Sequence, residues 1–183
     1  MSEARAAGRP ALKRNLIVMG VSGCGKTTVG AAFAAHFGAA FIEGDALHPR
    51  ENVAKMSAGI PLTDADRGPW LEAIAERIAA ADVEPAGVIA ACSSLKRAYR
   101  RILTGKTRRR TTFIFLDGSH ALLAARMAAR KNHFMPASLL DSQLATLEKP
   151  GPDEDVIRID LDADIDAQLE AAMQRIEAED AGA

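Results

Sequence analysis

Two cysteines, Cys24 and Cys92, are too few for a disulfide framework, and neither sits in a metal-ligand spacing. A reducing compartment, the cytoplasm, is the expected location. A formal net charge of −1 gives no global field toward nucleic acid or an anionic membrane surface. The one basic run, Arg108-Arg109-Arg110, lacks the interleaved aromatics of a nucleic-acid face and reads as a solvated turn. No apolar run approaches the roughly 18 residues of a membrane span, and no signal-peptide core is present. Residues 2–14 are Ala-rich with an excess of basic residues, a faint likeness to a transit peptide, but they read better as a frayed tail. The 183 residues fit one domain, placed at 15–178 between an N-terminal tail (1–14) and a C-terminal tail (179–183).

What the chain does have is a phosphate loop. The apolar run Leu16-Ile17-Val18-Met19 meets Gly20-Val21-Ser22-Gly23-Cys24-Gly25-Lys26-Thr27-Thr28, and this GxxxxGKT pattern supplies what polyphosphate binding needs. Small residues let backbone N–H groups close round phosphate oxygens. Lys26 reaches the terminal phosphates, Thr27 ligates Mg²⁺, and the following helix adds its positive end. Val29, Phe33 and Phe37 recur at helical spacing, as expected of a helix packed on a sheet, and Gly38 stands where it should stop. Cys24 reads as loop filler and Cys92 as a small buried hydrophobe.

Further along, Ala39-Ala40-Phe41-Ile42 reads as a strand ending in Glu43-Gly44-Asp45, so two carboxylates emerge at the strand end that faces the ligand crevice of an open parallel sheet. A short helical piece around Lys55 and Met56 follows, and then a helix capped by Thr63 or Asp64 with Trp70, Leu71, Ile74 and Ile78 inward. Val88 to Cys92 and Thr112 to Leu116 read as strands buried on both faces. Ser93-Ser94 is expected to open a helix that puts Lys96 and Arg100 one turn apart on one face. Helices from Ser119 to about Lys131, Ala137 to Glu148 and Ala167 to Ala178, with a strand at Val156 to Asp160, complete the alternation. The pattern predicts a parallel sheet of about five strands with helices on both faces. Asp117 ends an apolar strand and imitates a magnesium-side acid, yet reads as structural. No guanine-reading NKxD tetrapeptide occurs, which disfavours a nucleotide switch.

Longer stretches carry a resemblance. Met19–Thr27 (MGVSGCGKT), Gly44–Arg50 (GDALHPR), Asn52–Met56 (NVAKM), Gly59–Leu71 (GIPLTDADRGPWL), Cys92–Arg100 (CSSLKRAYR), Arg130–Phe134 (RKNHF) and Leu140–Pro150 (LDSQLATLEKP) together resemble the bacterial-type gluconokinases. The likeness runs from about Leu16 to Ile176 and implies a three-layer α/β P-loop kinase fold with a helical lid at about 120–150. It implies ATP and Mg²⁺ as cofactors, D-gluconate as acceptor of the γ-phosphoryl group at its 6-hydroxyl, and a homodimer. The other acceptor left open is another small hydroxy acid, shikimate-like or a different aldonate. Asp45 is the candidate for accepting the hydroxyl proton or aligning the acceptor, and Thr27 and Glu43 for the magnesium side, although the family usually carries Asp at the position of Glu43. His48, Arg50, Lys55, Arg67, Lys96 and Arg100, with Asp45, are the candidates for binding an anionic sugar acid, with Arg67, Lys96 and His48 foremost. Arg126 and Arg130, one helical turn apart, look like lid arginines that would close over the γ-phosphate with catalytic Lys26 and Asp45.

Overall fold

The computed structural model describes residues 9–83, 86–129 and 138–182. Five strands, β1 (Asn15–Met19), β2 (Ala40–Glu43), β3 (Val88–Ala91), β4 (Thr111–Asp117) and β5 (Val156–Asp160), form one sheet in the order β2-β3-β1-β4-β5. Every neighbouring pair is parallel, with Ile17 opposite both Ala90 and Phe113. Among them run α1 (Lys26–Phe37), α2 (Arg50–Ser57), α3 (Asp64–Ala81), α4 (Arg97–Thr104), α5 (His120–Ala129), α6 (Ser138–Thr146) and α7 (Ile165–Ala181). The central β1 and β3 are buried along their whole length, which requires cover on both faces and explains their unbroken apolar sequence. From β1 the chain goes out to the edge strand β2, returns to β3 beside β1, and then crosses β1 to reach β4. The loop after β1 therefore sits at the switch point of the sheet, where open α/β sheets place their ligands.

Local chemistry fixes the elements that reach this crevice. Thr63 and Asp66 form a capping box: Asp66 N–H donates to the Thr63 hydroxyl at 3.2 Å, and Thr63 N–H donates to the Asp66 carboxylate at 2.9 Å. Pro69 lies inside α3, and the helix continues through it to Ala81.

Two expectations change and a third is extended. Ser93-Ser94 does not open a helix: Ser94 is buried in a left-handed conformation (φ 50°), its hydroxyl donating to the Cys92 carbonyl, and α4 begins at Arg97 with Lys96 as its cap. Lys96 and Arg100 consequently serve different surroundings. The tail boundaries also move, because Leu12 and Arg14 are buried and Arg14 pairs with Asp180 and Glu179 near the end of α7. Residues 12–14 and Asp180 thus belong to the domain. Finally, the basic run is solvated, with Arg108 and Arg110 exposed, but it is also tied down, since Arg109 approaches buried Asp82 at 3.8 Å and Arg110 pairs with Asp155.

Candidate active site

Gly20 to Gly25 wrap from β1 into α1, whose first residue is Lys26. Gly23 adopts φ +86°, and a Cβ there would lie 2.9 Å from Met127 of α5, so only glycine lets α5 close on the loop. The Lys26 ammonium donates to the Val21 carbonyl at 3.2 Å. Burial disfavours its charge, yet its pKa stands above the ordinary lysine value, raised by the charge that Cys24 and Cys92 carry only when ionised and by the Asp45 and Glu43 carboxylates. The two thiols are buried and pushed up by desolvation, Cys92 to about 11, which keeps them protonated and inert at neutral pH.

The carboxylates expected at the end of β2 do emerge there. Glu43 is the last strand residue and Asp45 lies in a short 3₁₀ turn, its N–H donating to Glu43 Oε1 at 3.3 Å. The turn is held from two sides: Trp70 donates its indole N–H to the Gly44 carbonyl at 2.8 Å, and a Cβ on Gly44 would stand 2.3 Å from the Ala91 carbonyl oxygen. Glu43 Oε2 is buried with no hydrogen-bond partner. A buried carboxylate oxygen in that condition near the loop lysine, with the exposed Thr27 in the first turn of α1, suits a hard cation that takes only one or two protein oxygens. No cluster of three or more His, Cys, Asp or Glu is present among the described residues, so a closed protein cage for a metal is not formed there.

Loop and turn face a common cleft whose free interior volume in this structure is only about 30 Å³. Ser22, Lys26, Asp45 and His48 line it together with Arg67 and Trp70 of α3. His48 stacks on Trp70 with ring centroids 4.0 Å apart and an interplanar angle of 13°. Burial, helped by the Arg67 charge and opposed by Asp45, lowers the His48 pKa to about 4, so the ring is neutral at physiological pH. Its Nδ1 is buried without a partner, which leaves one ring nitrogen for a hydroxyl. Trp70, itself 2% exposed, is both core and pocket wall.

A family profile described as an AAA ATPase domain matches residues 2–147, which include the phosphate loop. The chain is 50% identical to the gluconokinase of Gluconobacter oxydans over 91% of its length and 93% of that protein's. It is 46% identical to the thermosensitive gluconokinase of Escherichia coli over 88% of this chain and 87% of that one. The crystal structure of a gluconokinase from Sinorhizobium meliloti superposes with a TM-score of 0.81 at 46% identity, covering 92% of this chain and 96% of that one. The chain carries an AAA-type ATPase domain and belongs to the gluconokinase family.

Within this gluconokinase-family framework the expected cationic residues separate. Arg67 lines the cleft, its guanidinium donating to the Leu62 carbonyl at 2.6 Å and lying 5.8 Å from the centre of the Tyr99 ring. Lys96 does not line it: the ammonium is paired with Asp64 at 2.8 Å beside the same ring, and Asp64 also accepts the Tyr99 hydroxyl. Lys55 is paired with Asp66 at 2.7 Å, fastening α2 to α3, and Arg50 is exposed at the start of α2. Arg100 is not brought to the cleft. It is buried and bidentate to Glu154, with three backbone carbonyls around its Nη1. Arg126 on α5 lies within electrostatic range of Cys24 of the loop and of Asp162. Arg130 lies outside the described residues. Asp117 is tied to Lys149 and Arg158, each at 2.8 Å, a structural clasp between β4, β5 and the 149 turn.

Sequence reading did not single out Ser93, Ser142 or Gln143, which also line the cleft. Ser93 follows from the broken helix start, since the residue after β3 stays in the crevice. Ser142 and Gln143 are polar residues on a helix, a type that is solvent-facing in most sequences, and only the docking of α6 turns them inward.

Proposed function

We propose that this chain transfers the γ-phosphoryl group of ATP to the 6-hydroxyl of D-gluconate, giving 6-phospho-D-gluconate and ADP. The observation that carries the proposal is the single cleft in which a phosphate-loop lysine, a strand-end carboxylate, a neutral imidazole and an arginine converge. The family relationship names the acceptor. Phosphoryl transfer needs the reacting oxygens in line, the charge neutralised and the hydroxyl proton accepted.

Each requirement has a residue in this reading. The Gly20–Thr28 loop and Lys26 hold the phosphates. Asp45, in the turn that follows β2, accepts the proton from the attacking hydroxyl. His48 Nδ1 takes a sugar hydroxyl, and Arg67 takes the acceptor's carboxylate. Thr27 and Glu43 would hold Mg²⁺, which when bound supplies neutralising charge to the β- and γ-phosphates. The 120–150 segment is the proposed lid, with Arg126 beside the phosphates and water excluded on closure. No described helix is long and apolar enough to cross a membrane. A cytoplasmic homodimer completes the reading by family analogy.

The experiment is ADP release from MgATP by the purified protein with no acceptor, D-gluconate, shikimate and several aldonates. Turnover confined to gluconate is expected. Turnover confined to another acid would keep the kinase and reassign the acceptor, and slow hydrolysis indifferent to every acceptor would overturn the transferase reading. In the same assay, Arg67→Ala is expected to raise the gluconate KM about 10- to 100-fold, the equivalent of the roughly 1.5–3 kcal/mol of a hydrogen bond to a charged group. A KM within twofold of wild type would remove Arg67 from the acceptor contacts.

A further inference from the structure

We infer that Gln143 is a positioning residue for phosphoryl transfer, holding the crest of the phosphate loop in register with the acceptor pocket through one face of α6. The carboxamide grips Ser22 at two points: Ser22 N–H donates to Gln143 Oε1 at 2.7 Å, and Gln143 Nε2 donates to Ser22 Oγ at 3.1 Å. Ser22 is 6% exposed and stands at the loop's crest, where it lines the cleft together with Lys26 and Asp45. A carboxamide fits this backbone–hydroxyl pair because it offers an acceptor and a donor side by side in one plane.

Four residues earlier, on the same face of α6, Leu139 is buried against Met56 and Leu62 in a small apolar cluster separate from the main core. Met56 belongs to α2, and Leu62 precedes α3 and gives its carbonyl to Arg67. One turn of α6 therefore rests on the acceptor side through Leu139 and on the phosphate loop through Gln143. The loop crest takes its position from α6, and α6 takes its seat from the elements that present Arg67 and His48. Misplacing reacting groups by about 1 Å costs on the order of 10²-fold in rate, so a two-point anchor on the loop has kinetic consequences without touching the transferred group.

This inference rests on the proposed reaction, and its test separates the two. Kinetics with MgATP and D-gluconate would be compared for wild type, Gln143→Ala, Gln143→Met and Ser22→Ala, and for the Ser22→Ala/Gln143→Ala pair. Both Gln143 variants are expected to lose about tenfold in kcat with both KM values within about threefold, and the double variant to fall short of the product of the singles, as for groups in contact. Gln143→Met keeps length and volume without hydrogen bonds, so it decides the matter if the alanine variant fails to fold. Amide exchange at Ser22, read without any acceptor, is expected to quicken about tenfold in the Gln143 variants. A wild type inactive on gluconate would sink the acceptor reading alone, with exchange at Ser22 still deciding the clamp. Unchanged kcat or unchanged exchange would overturn the inference. So would a lower KM for ATP at constant kcat, which would make Gln143 a competitor of the nucleotide.

Discussion

Asp45→Asn is expected to lower kcat by about 10²- to 10⁴-fold, the span of a positioned general base, while leaving both KM values and the fold close to wild type. The substitution is clean because the turn does not depend on the carboxylate. Asp45 contributes its backbone N–H to the Glu43 side chain, and the Gly44 carbonyl is held by the Trp70 indole. Asparagine fills the same space and still accepts a hydrogen bond from the acceptor hydroxyl, but it takes no proton. ADP release at saturating gluconate and MgATP measures the loss, and a thermal melt verifies the fold. Turnover within tenfold of wild type would show that the proton leaves by another route and that Asp45 only aligns the acceptor.

The second large effect is on stability. Arg100→Ala is expected to destabilise the chain by about 3–5 kcal/mol, because removing one member of a buried ion pair strands the other. The Arg100 side chain is 2% exposed, and Nε and Nη2 reach the two Glu154 oxygens at 2.6 and 2.9 Å. Nη1 meets the carbonyls of Ser94 at 3.1 Å and Glu148 at 3.0 Å, so one guanidinium ties α4 to the bend after β3 and to the turn before β5. Its hydrogen bond holds the Glu154 carboxyl below the usual carboxylate range. With a depressed folded-state pKa, that contribution is present above the ordinary glutamate value and fades as the pH falls through the folded-state value. The deficit of the variant in urea or thermal unfolding should therefore be widest at neutral pH and narrow in acid. Replacing both partners with apolar residues of similar volume should recover much of the loss. A deficit below about 1 kcal/mol at neutral pH would mean that the carbonyls and Glu154 find water instead.

These two residues show where sequence reading reaches and where it stops. Asp45 was legible because its position depends on local rules: an apolar run makes the strand, the strand's end faces the crevice, and a glycine lets the backbone pass the Ala91 carbonyl. Arg100 is among the candidates for substrate because the segment it shares with Lys96 carries the family resemblance, and their spacing suggests one helix. Ser94 at φ 50° broke that helix, and Glu154, 54 residues away in sequence, claimed the guanidinium. Lys96 and Lys55 went the same way toward Asp64 and Asp66, whereas Arg67 kept a place on the cleft wall. A positive charge on a helix carries no address until the acids of other elements have been placed.

The sequence by itself determined the phosphate loop, the five-strand parallel sheet and the carboxylates at the end of β2, since these follow from backbone preferences and burial periods that act over a few residues. The tertiary structure alone decided which cations face the cleft, that Trp70 serves core and pocket together, and that Gln143 meets Ser22. Those outcomes depend on how distant elements dock, and a side chain's partner across more than a hundred residues leaves no local trace in the chain.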